Sequence, residues 1–256
     1  MKNYFDLSGQ VAVVTGASTG LGLQMAKAFA NQGANLVLLA RRKALLEENA
    51  KAISAEFGVE VLPFACDITQ TEQVVAAVKA TMDRFGRVDI LMNNAGTGAV
   101  GNAEDITDEQ FKHEMDIDLF GTFVCAREFG KEMIKAKYGR IINIASMYGL
   151  VGNMIAGSAP YHAAKGGSVN LTRALAAEWG KHGITVNSIC PGYFYTDLTT
   201  QTLDSDFFQE VAKRSIPLER YGRAGELDTC ALFLASPLST YVNGQNIAVD
   251  GGYTCV

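Results

Sequence analysis

The 256-residue sequence has few of the residues that build disulfide scaffolds or metal sites. Its five cysteines are odd in number, far apart and without a C-x-x-C pair, so we expect reduced thiols rather than disulfides or a zinc site. The three histidines share no metal-ligand spacing, and we predict no metal. Basic residues are scattered and the net charge is -5, so no cationic face is available for nucleic acid.

Long apolar runs are also absent. Every run stops at a polar or glycine position within a few residues, far short of the roughly 20 residues that span a bilayer. Residues 1–10 carry Asp6 where a signal peptide needs its apolar stretch. We therefore expect a cytoplasmic protein that binds neither membranes nor nucleic acid.

What the sequence does contain is an alternation of short apolar runs with amphipathic stretches. Continuous rather than alternating hydrophobicity is typical of strands buried on both faces of a parallel sheet. The seven runs are 12–14, 36–39, 59–64, 88–92, 141–144, 184–189 and 246–249. Helical patterns cover 21–31, 43–57, 71–85, 108–135, 161–181 and 226–234. With no linker or repeat, residues 1–256 are predicted to form one α/β domain, a doubly wound Rossmann-type sheet of about seven parallel strands with helices on both faces.

Residues 193–223 interrupt this alternation with an aromatic, polar and mixed-charge segment. The segment follows a predicted strand at the carboxyl edge of the sheet, where ligands of such folds bind. It is therefore a candidate substrate lid, with an ordinary surface excursion as the alternative.

A glycine-rich turn follows the first predicted strand and precedes a helix. Glycines let the backbone bend sharply and approach a pyrophosphate, and the helix N-terminus offers free N–H groups. This context predicts a dinucleotide site, although a glycine-rich turn alone can be a structural loop. The residues concerned are Gly16, Ser18, Thr19, Gly20, Leu21 and Gly22.

The end of the second predicted strand bears on cofactor choice. Enzymes that prefer NAD usually place an acid here to hold the ribose 2′-hydroxyl, whereas arginine accepts the 2′-phosphate of NADP. This chain has Ala40 followed by Arg41 and Arg42, which favours NADP(H) over NAD(H). Ser18 and Thr19 are further hydroxyl donors to that phosphate. The alternative is that the two arginines only begin a solvated helix.

Tyr161 and Lys165 form the candidate acid/base pair. They are four residues apart at the start of a predicted helix, so both side chains project from one face. An ammonium beside a phenol stabilises the phenolate, which a tyrosine acid/base needs. Ser146, at the end of the fifth strand, is placed to hydrogen-bond a carbonyl or alcohol oxygen. The pair alone is also common on ordinary helix surfaces.

Together these motifs resemble the short-chain dehydrogenase/reductase superfamily over nearly the whole chain. The resemblance rests on 15–22, 93–96, Ser146, Tyr161 with Lys165, 191–192 with Thr196, and 250–252. It implies interconversion of a secondary alcohol and a ketone, with Ser146 orienting the substrate oxygen, Tyr161 transferring the proton, and Lys165 binding the nicotinamide ribose. It also implies a homotetramer or homodimer, and cofactor contacts from Asp67, Ile68, Asn94, Ala95, Gly96, Pro191, Gly192 and Thr196 beside Tyr161 and Lys165.

Asp118 departs from the family pattern. It stands where the family usually has an asparagine that helps hold a water in a proton relay to the lysine. A relay through its backbone carbonyl remains possible, and an ionised carboxylate near Lys165 would favour the charged lysine. The other interpretation is that Asp118 has no catalytic part.

The substrate is less defined than the chemistry. Ser146-Met147, 163–167, 191–193 and 220–227 most resemble the gluconate 5-dehydrogenase branch, which interconverts a sugar acid and its keto form. Tyr148, Asn153 and Tyr193, with Ser146 and Tyr161, suit a sugar acid or polyol, yet could equally enclose a larger apolar ketone. A 3-oxoacyl-[acyl-carrier-protein] reductase is the main alternative, and a non-catalytic NADP-sensing protein a remote one.

An anionic substrate should be met by a cation. The residues after Gly96, 97–102, supply none. The candidates lie in 193–223, where they could equally face solvent: Lys213, Arg214, Arg220 and Arg223.

Overall fold

The architecture is that of a computed structural model, which describes residues 3–98, 100–196 and 199–256. Within these residues, seven strands form one sheet in the order β3-β2-β1-β4-β5-β6-β7, and every pairing is parallel. The strands are β1 Val11–Thr15, β2 Asn35–Ala40, β3 Val61–Ala65, β4 Ile90–Asn93, β5 Gly139–Ile144, β6 Ile184–Pro191 and β7 Asn246–Val249. The predicted doubly wound α/β fold is confirmed.

Helices cover both faces of the sheet. They are α1 Gly20–Asn31, α2 Lys43–Phe57, α3 Thr71–Phe85, α4 Asp108–Met115, α5 Thr122–Ala136, α6 Ala159–Trp179, α7 Thr200–Leu203, α8 Asp206–Ser215 and α9 Asp228–Ala235. Among the described residues, none of these helices is long and apolar enough to cross a membrane.

The two faces of the sheet carry separate apolar cores. Ala12 and Val14 of β1 pack with α1, α2 and α9, whereas Val11 and Val13 pack with α3, α5 and α6 on the opposite side. Successive side chains of a strand point to opposite faces, so covering both faces requires apolar residues at every position. This is why the strands read as continuous apolar runs.

The sheet changes winding direction between β1 and β4. β1 pairs with β2 on one side and with β4 on the other, so the connections leaving their carboxyl ends diverge. In open α/β sheets such a switch point leaves a crevice in which ligands bind. The candidate site lies at this edge.

The helix predicted over 108–135 is interrupted in the structure. A π-helical turn, Asp116–Gly121, separates α4 from α5. Its last residue, Gly121, packs so closely that a Cβ there would lie 2.6 Å from Cδ1 of Ile68. The interruption places Asp118 inside the π turn, and π turns are frequent at functional sites.

The segment 193–223 folds over the carboxyl edge of the sheet, and its residues 197 and 198 lie outside those described. Its described part includes α7 and α8. A small apolar cluster holds it together, formed by Leu203, Ala212, Ile216 and Tyr221 with partly buried aromatic neighbours. The described part of the segment predicted as a lid thus has a small apolar core of its own.

Candidate active site

The glycine-rich turn is pressed against the end of β4. Gly16 and Gly20 have φ values of 66° and 60°, a left-handed backbone that favours glycine. A Cβ on Gly22 would lie 2.3 Å from Nδ2 of Asn94, which donates to the carbonyl oxygen of Thr15 at 3.1 Å. The turn therefore requires glycine both for its bend and for close packing.

A cleft of about 560 Å³ opens beside this turn. Thirteen of the residues predicted to contact the cofactor line it: Gly16, Ser18, Thr19, Gly20, Leu21, Arg41, Arg42, Asp67, Ile68, Asn94, Ala95, Gly96 and Thr196. Gly22 instead serves packing. The residue types of the other lining residues carry no cofactor signal, and they were not among the predicted contacts: Leu39, Ala40, Cys66, Thr69, Thr97, His113, Asp116 and Ile117.

Arg42, which follows β2, donates hydrogen bonds to two hydroxyls of the glycine-rich turn. Its Nη2 donates to Oγ of Ser18 at 2.8 Å and to Oγ1 of Thr19 at 2.9 Å. Arg41 also lines the cleft, and both arginines are exposed. The cluster predicted from sequence is therefore assembled, with Arg42 as the arginine that contacts both hydroxyls.

A second cavity of about 220 Å³ adjoins the cleft. Its walls include the three predicted catalytic residues, Ser146, Tyr161 and Lys165, together with Pro191 and Gly192. The two cavities share four lining residues: Leu21, Asn94, Gly96 and Thr97. The candidate catalytic side chains thus line a cavity that borders the cleft.

Close backbone packing holds Ser146 near α6. Ser146 begins a short 3₁₀ turn, Met147–Gly149, and its Oγ accepts the N–H of Tyr148 at 3.1 Å. A Cβ on Gly149 would lie 2.7 Å from the carbonyl oxygen of Lys165, so this turn rests directly on the helix. Pro160 lies in the first turn of α6, where it costs no helical hydrogen bond, and Tyr161 follows it in the same turn.

Lys165 is buried, with its ammonium in a fixed set of contacts. Nζ lies 2.8 Å from Oδ1 of Asp118, donates to the carbonyl oxygen of Ile144 at 3.1 Å, and sits 5.5 Å from the ring centre of Tyr161. Burial alone would lower the pKa of Lys165, but the charges of Tyr161 and Asp118 outweigh it and raise that pKa above its usual value. The lysine is therefore a stable cation.

Asp118 is fully buried beside that lysine. Its Oδ2 accepts the backbone N–H of Thr97 at 3.0 Å. Its own carbonyl oxygen accepts the hydroxyls of Ser168 at 2.9 Å and Thr122 at 3.2 Å. The contacts with Thr97 and Ser168 could not be foreseen from the sequence, because each joins parts of the chain that are more than 20 residues apart.

The predicted substrate tyrosines form a hydrogen-bonded pair. The hydroxyls of Tyr148 and Tyr193 are 2.6 Å apart, and the Tyr148 ring contacts those of His162 and Tyr253. Burial raises the pKa of both Tyr148 and Tyr193, so they remain neutral hydroxyls at working pH. The sequence did not indicate Tyr253, because only the fold brings this residue near the end of the given sequence next to Tyr148.

Asn153 and the cations of the segment 193–223 are engaged elsewhere. The Asn153 amide accepts from the Ile155 N–H and donates to the Ala156 carbonyl within its own loop. The four basic side chains are outside both cavity linings in the described part of the chain, and three of them pair with glutamates. These pairs are Lys213 and Arg214 with Glu210, and Arg220 with Glu226; Arg223 is exposed.

Comparison with known proteins gives matches over nearly the whole chain. A family profile described as enoyl-(acyl carrier protein) reductase matches residues 16–254. A galactitol 2-dehydrogenase (L-tagatose-forming) of Cereibacter sphaeroides is 37% identical, covering 99% of this chain and 98% of that protein. A 3-oxoacyl-[acyl-carrier-protein] reductase of Synechocystis is 38% identical, covering 96% and 97%. A gluconate 5-dehydrogenase from Burkholderia cenocepacia, solved with NADP and tartrate, superposes with a TM-score of 0.94 at 34% identity, covering 99% and 98%.

Proposed function

Because the chain belongs to the short-chain dehydrogenase/reductase family, we propose that it is an NADP(H)-dependent oxidoreductase that interconverts a polyol and its ketose. The observation that carries this proposal is the cavity shared by Ser146, Tyr161 and Lys165 at the inner end of the cleft. Alcohol and ketone chemistry follows from the family. The preference for NADP(H) over NAD(H) and the substrate class are proposed from the residues of the site.

The cleft fits a nicotinamide dinucleotide. The left-handed Gly16 and Gly20 and the close contact of Gly22 with Asn94 form a turn that a side chain would fill. Ser18, Thr19, Arg41 and Arg42 would hold the 2′-phosphate of NADP. The remaining predicted cofactor residues, Leu21, Asp67, Ile68, Ala95, Gly96, Pro191, Gly192 and Thr196, line the cleft or the adjoining cavity. When bound, the nicotinamide donates or accepts the hydride.

The catalytic residues divide the proton work between them. The Oγ of Ser146 already accepts the Tyr148 N–H, so its own hydrogen is available for the substrate oxygen. Tyr161 gives a proton to that oxygen in reduction and removes it in oxidation. The ammonium of Lys165 stabilises the phenolate that Tyr161 forms when it gives up its proton.

The charges around the cavity support our proposal of the substrate class. Among the described residues that line the cavity, Lys165 is the only cation, and Asp118 neutralises it, while the basic side chains of 193–223 are exposed or paired. A carboxylate substrate would thus lack the cation it needs. The hydroxyl pair of Tyr148 and Tyr193 also lies outside the described linings of both cavities, and it brings no positive charge that a carboxylate would need. We therefore favour a polyol and ketose over a sugar acid, with residues 193–223 as the lid.

The second candidate function is reduction of a 3-oxoacyl thioester. The relative from Synechocystis and the description of the family profile support it. An acetoacetyl thioester separates the two functions, because its reacting ketone is flanked by alkyl rather than hydroxyl groups. The non-catalytic alternative is disfavoured because Ser146, Tyr161 and Lys165 are all present.

The test is a substrate panel with NADPH or NADP⁺, followed by absorbance at the nicotinamide band. Ketoses and polyols should turn over faster than gluconate, keto-acids and acetoacetyl thioesters. Tyr161→Phe should lower kcat by at least about a thousandfold and leave NADPH binding largely intact, since it removes only the transferable proton. Tyr241→Phe, which alters a fully exposed tyrosine, is the matched control.

Two results would count against the proposal. Measurable NADPH binding without turnover of any compound would remove the enzymatic function. Retained activity in Tyr161→Phe would remove the acid/base assignment.

A further inference from the structure

Two hydrogen-bond donors converge on the side chain of Asp118 from different elements. Lys165 Nζ approaches Oδ1 at 2.8 Å, and the Thr97 backbone N–H approaches Oδ2 at 3.0 Å. A carboxylate accepts at both oxygens, whereas an asparagine would turn its NH₂ toward one of the two donors. The side chain is fully buried, so an unmatched donor would be costly. The site is thus built for an acid rather than an amide.

The backbone carbonyl of Asp118 is already engaged. It accepts the hydroxyls of Ser168 and Thr122, and a carbonyl oxygen has two lone pairs. The contact between this residue and Lys165 therefore runs through the side chain. Of the two interpretations left open by the sequence, the contacts favour a direct role of the carboxylate beside the lysine.

Gly96 packs against both members of the Asp118–Lys165 ion pair. A Cβ at this position would lie 2.4 Å from Oδ1 of Asp118 and 3.3 Å from Nζ of Lys165. Gly96 and Thr97 also line both cavities. The ion pair therefore joins three parts of the site: the catalytic helix, the π turn and the loop after β4.

We propose that Asp118 is the counter-ion of Lys165 and a positioning residue, tying the catalytic lysine to the loop at Gly96 and Thr97. This inference rests on the proposed function. The negative carboxylate offsets part of the electrostatic stabilisation that the ammonium gives to the Tyr161 phenolate. It also fixes the distance between Nζ of Lys165 and the loop at Gly96 and Thr97, which borders both cavities.

The pH dependence of oxidation should reveal this sharing of charge. The titratable groups that act on Lys165 are Tyr161 on its own helix, Asp118 in the π turn, Glu114 on α4 and the Cys190 thiol on β6. In Asp118→Asn the carboxylate's repulsion of the Tyr161 phenolate disappears, and the phenolate becomes the nearest counter-ion of the ammonium. Oxidation needs the phenolate, so the acid side of its pH profile should move to lower pH by roughly one unit.

The first experiment compares wild type with Asp118→Asn in polyol oxidation from acid to alkaline pH. We expect the acid-side shift together with a kcat lowered about tenfold to a hundredfold, because the amide misplaces one of the two donors. Asp83→Asn is the matched control, since Asp83 pairs with Lys79 on the exposed surface of α3. Its profile should overlay that of wild type. An unmoved profile in Asp118→Asn would overturn the counter-ion role.

A second measurement needs neither turnover nor the Asp118→Asn single variant. Lys165→Met leaves the buried carboxylate without its cation, which should lower the Tm strongly. Adding Asp118→Asn to that variant removes the isolated charge, so the double variant should melt above Lys165→Met. A double variant that melts below it would overturn the pairing. If wild type oxidises no polyol, the proposed function fails, while this comparison of melting temperatures still decides whether the ion pair forms.

Discussion

Replacing Arg42 by alanine tests the cofactor assignment through a single side chain. Arg42 stands at the rim of the cleft and holds the hydroxyls of Ser18 and Thr19 at 2.8 and 2.9 Å. NADPH and NADH differ only by the 2′-phosphate. A residue that binds this phosphate should therefore affect one cofactor and spare the other.

The size of the effect follows from the position of the guanidinium. A hydrogen bond to a charged group contributes about 1.5–3 kcal/mol, and solvent screening at the exposed Arg42 favours the lower figure. A loss of about 1.5 kcal/mol corresponds to roughly tenfold weaker NADPH binding. Arg41→Ala should also weaken NADPH binding selectively, since Arg41 lines the same cleft.

The assay is a calorimetric or fluorescence titration of NADPH and NADH with wild type and each variant at low ionic strength. Salt screens exposed charges, so the NADPH difference should shrink as salt rises. Lys43→Ala is the control, because Lys43 is the next basic residue along the chain but pairs with Glu47 on the surface of α2. Equal weakening of NADPH and NADH by Arg42→Ala would refute the assignment, and so would no change in either.

Two further predictions concern packing and thiol reactivity. Gly96→Ala should reduce kcat at least about tenfold, because its Cβ would meet Oδ1 of Asp118 at 2.4 Å, whereas Gly166→Ala, with its nearest neighbour at 3.9 Å, should keep kcat within about twofold; steady-state kinetics decide. The exposed Cys255 should be the thiol that Ellman's reagent modifies fastest in the folded protein at pH 8. Cys66, Cys125 and Cys190 are buried and Cys230 is partly buried, and burial raises the pKa of Cys66 to about 11, so fast reaction of several thiols would contradict the core packing.

The sheet could be predicted because its physical signal is local. A strand covered on both faces is apolar at most positions, and β1 and β2 show this without reference to the rest of the chain. The glycine-rich turn could also be predicted, because a sharp bend with a left-handed backbone directly after a strand requires glycine. Gly16 and Gly20, with their left-handed backbone, are the residues that carry this signal.

The contacts behind the catalytic lysine could not be predicted, because they join distant parts of the chain. Asp118 and Lys165 are 47 residues apart, and their approach depends on the π turn, whose sequence is compatible with an ordinary α-helix. Likewise, the sequence alone does not tell which of Arg41 and Arg42 contacts the hydroxyls of the glycine-rich turn. Only the path of the backbone after β2 decides which of them reaches Ser18.

The π turn between α4 and α5 has a consequence for engineering. A regular helix through 116–121 would restore ordinary i to i−4 bonding. It would also rotate Asp118 away from Lys165, because each residue of an α-helix advances by about 100°. Both charges would then be buried without their partner, so the gain in backbone bonding would be offset by a loss of stability and of turnover. Libraries that cover 116–121 should be sorted by turnover.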